Sequence, residues 1–576
     1  MSEFIFGSKV LARFLGDEKF PIKWESEEEK KLMWWYDDLH VPNPISPMYE
    51  SFCPWWDTEN IAACRYMYRR FWAPFGKEWP GKVINGYVYT TVVPRKDPEE
   101  AKNAGKFYNM MIALYADKFL TWWEERYLPQ IEKNLAFLDD YPYDKASLQE
   151  LLYVMEETLD IFDYHWKLHW ILNLAQFQSF IQFRVVYQEV FGKVDEDEVG
   201  KILISVKDKN WESLEGLCKL KNEIKENEKL KKVFQEPPDK PAKDILKELE
   251  VPPEGESFLK GLSEYTKVYG QKAIYAHELK FPTWHEDPSP VIELLKSYLD
   301  MDYDYSQDVN KARETRDKAI ERMMGRVTDE AKKKKLKEAL DLALKMAPLT
   351  PDHHFYIDQG THARARRVLL EIGKHLVRMN IIEKPDDILF LTYDEMRALA
   401  VDPKTYDAKK IVEDREKEMK EQEKLAPPDW VGTATQWAVY EEPYKQGLWG
   451  FPDKFEKKLP ELGAKEIRGI AASPGVVEGT ARVVKSTDEF DLVQPGDIMV
   501  CIMTNPAWIN VFPKLKALVT DSGGVHAHPA IVSREFGIPC VVATTVGTRM
   551  IKSGQKIRVD GSKGVVEILG EERDER

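Results

Sequence analysis

Near the C-terminal end, the run Thr520-Asp521-Ser522-Gly523-Gly524-Val525-His526-Ala527-His528-Pro529-Ala530-Ile531-Val532-Ser533-Arg534-Glu535-Phe536-Gly537-Ile538-Pro539 joins two histidines to a glycine turn and two helix-stopping residues. The apolar residues 516–520 suit a buried strand. Gly523-Gly524 permits a sharp turn and a close approach of backbone to a ligand. Pro529 suits the first turn of a helix, where a missing N–H costs nothing. Gly537 suits the C-terminal cap, and Pro539 prevents the helix from continuing. His528 is thereby placed at a helix N-terminus, where free N–H groups and the positive dipole end favour a phosphoryl group. A neutral imidazole there is a nucleophile able to form a covalent intermediate. For a glycine pair beside a histidine alone, a structural turn–helix with two incidental histidines is the plainer reading.

The rest of the chain must build the body that positions this segment. At 576 residues, two or three domains are expected. A net charge of −15 gives no support for nucleic-acid binding or an anionic membrane surface. The five cysteines, Cys53, Cys64, Cys218, Cys501 and Cys540, lack metal spacing and read as free thiols of a reducing compartment. No signal-peptide layout and no bilayer-length apolar run is present, so a cytoplasmic protein without a membrane partner is expected.

Residues 1–100 are aromatic-rich. From Trp34 and Trp35 to Met48 the chain carries three prolines, which exclude a regular helix and suggest an ordered loop. It is either aromatic core or an aromatic-lined substrate cavity in which His40 or Asp38 is the polar contact. Val83-Ile84-Asn85-Gly86-Tyr87-Val88-Tyr89 reads as a β-hairpin. Residues 98–138 and 146–191 read as helices, and His165 and His169 lie one turn apart. That spacing can bind a metal, but neither an intervening Glu nor a third ligand is evident. No metal is expected, and the pair is read as core or substrate-pocket histidines. Residues 219–250 read as a solvated helix and surface linker. Residues 308–347 read as one long charged helix, and a further helix opens at Pro351-Asp352-His353-His354. A charged helix and a Pro-, Gly- and Trp-containing connection then form a hinge at 401–466. Strand and helix alternate over 467–570, predicting an α/β domain.

The 520–539 run resembles the phosphohistidine segment of the swivelling domain in phosphoenolpyruvate-utilising enzymes, a family that includes phosphoenolpyruvate synthase, rifampin phosphotransferase and phenylphosphate synthase. On that register His528, not His526, carries the phosphoryl group, and Pro529 replaces the usual Ala. Tyr269-Gly270-Gln271-Lys272 and Pro282-Thr283-Trp284-His285-Glu286-Asp287-Pro288 resemble the family's helical substrate domain. Lys272 stands where relatives often carry Arg, and Ala276 where they often carry Glu. Lys keeps a charge near an incoming phosphate but loses bidentate geometry.

The resemblance implies a multidomain protein: an aromatic-rich start of the substrate domain (1–100), a helical substrate-binding domain (101–400), a hinge (401–466) and a swivelling α/β phosphohistidine domain (467–570). No Gly-x-x-x-x-Gly-Lys-Ser/Thr loop or ATP-grasp region is found. The expectation is therefore that a separate ATP-grasp-type subunit binds Mg·ATP, as in phenylphosphate synthase. His528 would take the β-phosphoryl group and pass it to phenol or a similar aromatic alcohol, a step of anaerobic aromatic metabolism. Ser522, Gly523, Gly524, Arg534 and Lys272 would hold the phosphoryl group. His40, His354 and Asp38 are candidate bases. Trp34, Trp35, Trp284, His165 and His169 would line the acceptor pocket. Other acceptors (another alcohol, an antibiotic, a pyruvate-type acceptor), phosphoenolpyruvate as donor, and a non-enzymatic phospho-carrier remain as alternatives.

Overall fold

Asn85 and Gly86 both take positive φ, 51° and 83°, the conformation a two-residue hairpin turn requires. They join the two strands of the expected hairpin in a computed structural model that describes residues 20–52, 63–74, 76–237, 240–251, 253–273, 275, 277–425, 427–433, 443–451, 454, 459–461, 463–484, 487–504 and 506–571. Cys53 and Ala276 lie outside the described residues, as does the side chain of Cys64. Two compact units are present. The first comprises residues 1–178, 275–281 and 356–445, and the second comprises 179–274, 282–355 and 446–576. The expected 101–400 helical domain is thus divided between them.

In the first unit, β1 (Met33–Tyr36), β2 (Gly81–Ile84), β3 (Tyr87–Thr90) and β4 (Trp430–Gly432) form an antiparallel sheet in the order β2-β3-β1-β4. The aromatic run expected as a loop therefore begins as a strand, and the expected hinge supplies that strand's neighbour, with Trp34 opposite Val431. Alternation along β1 sends Trp34 and Tyr36 into a cluster with Phe20, Ile22, Tyr87 and Tyr89. Trp35 turns the other way, against Trp79. The sheet is joined by helices α1 (Pro98–Trp122), α2 (Leu128–Asp140) and α3 (Leu148–Phe191). At 44 residues, α3 is about 66 Å long, too long for one core, and its last residues, from Ser179, belong to the second unit.

The second unit continues with α4 (Lys209–Glu226), α5 (Pro253–Tyr269), α6 (Ser289–Asp300), α7 (Tyr305–Gly325) and α8 (Glu330–Met346). The single helix expected over 308–347 is two. Asp329 accepts from the N–H groups of Ala331 and Lys332 and starts a new helix after Gly325. The 219–250 stretch is also more structured than expected. Helices Glu228–Gln235 and Ala242–Leu249 bury Leu230, Val233, Phe234, Ile245 and Leu249. A π-helical turn, His354–Gln359, leads into α9 (Gly360–Arg378) of the first unit, followed there by α10 (Ala408–Gln422). Among the described residues no helix is long and apolar enough to cross a membrane.

After α11 (Pro443–Trp449), strands β5 (Glu466–Arg468), β6 (Ile470–Ser473), β7 (Val476–Val483), β8 (Asp497–Cys501), β9 (Leu515–Thr520), β10 (Cys540–Val542), β11 (Gln555–Asp560) and β12 (Val565–Glu571) form an eight-stranded sheet. Its order is β5-β12-β11-β7-β8-β9-β10-β6, parallel from β7 to β10 and antiparallel outside. The expected helix appears as α12 (His528–Phe536), with Pro529 in its first turn and Gly537 in the left-handed cap at φ 64°. Within this unit α12 packs against the preceding helices, where Trp211 of α4 stacks on Phe536 at 5.4 Å between ring centroids.

Candidate functional site

The loop between β9 and α12 is folded onto the end of α11. Gly524 N–H donates to the Leu448 carbonyl at 2.6 Å, and His526 N–H to that of Gly447 at 2.9 Å. A methyl group on Gly524 would overlap the Gly447 carbonyl oxygen and come within 2.8 Å of Gly450 N. Gly524→Ala is therefore expected to destabilise the second unit by about 1–3 kcal/mol, the usual scale of overpacking, in denaturant unfolding. The Gly524 amide expected in the phosphoryl cradle thus serves the loop's own anchoring here. Arg534 behaves similarly. Its terminal nitrogens donate to the carbonyls of Ala472 and Val525, at 2.9 and 2.6 Å, and brace the loop. Asp521 accepts from Thr544 Oγ1 at 2.8 Å and from the Thr548 N–H and hydroxyl, tying the turn to the following strand connection. Gly523, at φ 98°, makes the turn itself, and the Ser522 hydroxyl is buried with no hydrogen-bond partner among the described residues.

His528 is held from one side only. Nδ1 lies 2.8 Å from Thr504 Oγ1, and the ring meets Phe512 edge to face at 6.1 Å. Nε2 is buried and has no hydrogen-bond partner among the described residues. A buried unpaired N–H is more costly than an unpaired lone pair, so the stable tautomer donates Nδ1–H to Thr504 and leaves the lone pair on Nε2. Burial, and then the charges of His354 and Lys272, hold the ring's pKa well below its ordinary value, so it is neutral. The geometry is that of an imidazole nucleophile with one free nitrogen.

Lys272 and His354 face this ring electrostatically. Lys272 is 2 % exposed. Its Nζ is 2.8 Å from Ser213 Oγ and 5.3 Å from the centroid of Trp284. Burial alone lowers its pKa to about 7. The segment is pinned by Trp284 N–H to the Lys272 carbonyl and His285 N–H to that of Gly270. His354 lies against His353, with centroids 4.1 Å apart. Lys272, Trp284, His354 and His528 are thus gathered in the second unit, so Trp284 belongs with the lysine rather than with Trp34 and Trp35.

The remaining candidates fall in the first unit. His40 Nδ1 donates to Asp37, at 2.8 and 3.1 Å from its two oxygens. The carboxylate paired with His40 is Asp37; Asp38 is buried, and its charge adds to burial, the larger cause, in raising the pKa of Tyr36 and Tyr89. His169 Nδ1 donates to Asp358 Oδ1 at 2.9 Å. His165 has both nitrogens engaged: Nδ1–H donates to Thr361 Oγ1 at 2.8 Å, and Nε2 accepts from Asn134 at 3.2 Å. Burial, and then the Arg364 charge, lower its pKa to about 3, as for a core histidine. Three groups here escaped notice in the sequence: His277, Asp358 and His362. No spacing marks them, because they come from separate segments. Glu278, two residues beyond Ala276, is the buried carboxylate of its stretch; it accepts from Ser46 N–H and hydroxyl and secures the proline turn. Thr504 was likewise missed, its role depending on the β8–β9 connection.

Comparison with known proteins places these features. Residues 493–564 match the mobile domain of PEP-utilising enzymes, and residues 165–350 match the fourth domain of rifampicin phosphotransferase. The chain is 28 % identical to chondramide synthase of Chondromyces crocatus over 96 % of this chain and 14 % of that protein. It is 26 % identical to the uncharacterised phosphotransferase YvkC of Bacillus subtilis over 93 % of this chain and 62 % of that one. It is 28 % identical to rifampicin phosphotransferase of Bacillus cereus over 55 % of this chain and 35 % of that one. The chain spans less than two thirds of the length of each of these relatives.

Proposed function

We propose that the chain is the phosphohistidine-carrying and acceptor-binding part of a phosphotransferase. The observation that carries the reading is the buried, unpartnered Nε2 of His528, at a helix start inside the segment that matches a PEP-utiliser mobile domain. In the first step the Nε2 lone pair attacks a donor phosphorus; an N–P bond forms and the bond to the leaving group breaks. In the second, an acceptor hydroxyl loses its proton to a base and attacks the same phosphorus, and the N–P electron pair returns to Nε2. Splitting the transfer suits an acceptor that is a weak nucleophile. Lys272 and His354 supply positive charge to the phosphorylated ring once protonated. The donor is Mg·ATP bound on a separate ATP-grasp-type chain, and magnesium supplies charge neutralisation at the donor phosphates. The acceptor is a phenol or a similar hydroxyl compound, and His40, oriented by Asp37, is its base.

Mass mapping tests this. The chain is incubated with Mg·ATP, alone and with a nucleotide-binding partner, and separately with phosphoenolpyruvate. One phosphoryl on His528 with ATP and partner, discharged by phenol, is the expected result. Loading by phosphoenolpyruvate alone would change the donor. Loading without discharge to any hydroxyl compound would favour a phospho-carrier.

A further inference from the structure

The interior of the first unit holds more ionisable groups than a core needs. His169 and His277 flank one carboxylate: His169 Nδ1 is 2.9 Å from Asp358 Oδ1, and His277 Nε2 is 3.6 Å from Asp358 Oδ2. His277 meets His40 edge to face at 5.3 Å between centroids, and His40 in turn holds Asp37. His362 lies 5.5 Å from His277; it accepts from the Tyr49 hydroxyl and donates Nδ1–H to the Asp358 carbonyl. Trp166 packs on His169, His277 and His362. Asp37 and Asp358 are each 0 % exposed. Asp358 sits in the π-helical turn, a widened geometry common at functional sites.

A carboxylate removed from water must be matched by positive charge or take up a proton. Two such carboxylates are set here among four imidazoles. The members are not equivalent. His362 has both ring nitrogens engaged and is held neutral, its pKa lowered to about 3 by burial and then by His277. His40 is the partly exposed member, its side chain 13 % accessible. Its Nδ1–H is committed to Asp37, which makes Nε2 its proton-accepting nitrogen.

We propose that this cluster is the acid–base apparatus for the acceptor: His40 takes the hydroxyl proton through Nε2, and the Asp37 carboxylate in contact with it, backed through His277 by the Asp358 carboxylate, supplies the counter-charge for the imidazolium so formed. It rests on the reading that the acceptor is a hydroxyl compound. In it His40 is the catalytic residue, and Asp37, His277 and Asp358 are positioning residues. The ligand class is a hydroxyl that is protonated at neutral pH, seated beside indole and imidazole rings. The proton balance is closed: one proton leaves the hydroxyl for His40 as the O–P bond forms, and it returns to solvent after the N–P bond has broken.

The test uses the full chain phosphorylated on His528, with Asp37→Asn and His277→Gln as variants. Each is offered two acceptors: phenol, protonated at neutral pH, and 4-nitrophenol, which is substantially ionised there. Both variants are expected to load His528 at the wild-type rate. Each should lose on the order of 10²-fold in transfer to phenol, within the range attributed to general-base catalysis. With 4-nitrophenol the loss should shrink to less than about 10-fold, because the proton has already left. A merely structural role would lower both acceptors equally, and that result would overturn the proposal, as would no loss with either. If wild-type phosphoprotein transfers to neither phenol, the hydroxyl-acceptor reading fails and this inference with it. Wild-type transfer combined with acceptor-independent losses overturns the inference alone.

Discussion

Replacing His528 by alanine should abolish phosphoryl uptake and leave the fold intact. The loss should be at least about four orders of magnitude in rate, the scale on which removal of a covalent nucleophile acts. The unfolding midpoint should barely move. The ring makes one side-chain hydrogen bond, to Thr504, and one edge contact, to Phe512, and α12 is fixed by Pro529 and the Gly537 cap rather than by the imidazole. Incorporation of labelled phosphoryl from Mg·ATP in the presence of the nucleotide-binding partner is the measurement. In the wild-type chain the label should be lost in acid and kept in base, as expected of an imidazole N–P bond. A folded variant that still takes up label with that stability would move the phosphoryl group to another residue. His526 is a poor substitute. Its backbone N–H is tied to the Gly447 carbonyl, and its ring lies so close to Gly447 that a methyl there would overlap it.

The turn–helix segment 520–539 is legible in the sequence because local chemistry determines it. Gly523 must turn, Pro529 can only open a helix, Gly537 can only close one, and the apolar run before them has nowhere to go but the sheet. The 85–86 hairpin is legible for the same reason. What the sequence conceals is pairing at long range. Nothing in Trp430-Val431-Gly432 announces that it completes a sheet with Met33–Tyr36, about four hundred positions away, so a hinge was expected where a strand lies. The pairing of His40 with Asp37 is set by the turn that follows β1, which brings residues three apart together. His277 and Asp358 could not be grouped with His169, since three segments converge on one carboxylate. Arg534 shows a different limit: its place in a familiar run suggests an anion ligand, and its bonds to two carbonyl oxygens are visible only in the fold.

Lys272→Met should raise stability and lower transfer in the same protein. The ammonium form of Lys272 is opposed by burial, which brings its pKa from an ordinary 10.5 to about 7. Above pH 10.5 neither the folded nor the unfolded chain holds a proton on this group. As the pH falls from there towards 7, the unfolded chain binds a proton that the folded chain refuses, and the folded state loses stability; below about 7 both bind it. At pH 7 the penalty is roughly 3–5 kcal/mol, so the methionine variant should be more stable by an amount of that order, minus the lost Ser213 hydrogen bond. Urea unfolding at pH 7 and at pH 9 is the check: the advantage of the variant should narrow at the higher pH. The functional effect runs the other way. A phosphoryl group on Nε2 brings negative charge beside Lys272, which then takes up a proton and is further steadied by the Trp284 ring. Without that cation, transfer from phospho-His528 to the acceptor should fall about 10²–10³-fold, as for removal of one preorganised charge donor. Lys272→Arg restores a charge that cannot be shed, so it should recover part of the transfer while destabilising the unphosphorylated protein. A lysine kept only for packing would give destabilisation on going to methionine and no change in transfer. Gain of stability and loss of transfer together identify a group only partly charged at rest that becomes fully charged when the phosphoryl group arrives.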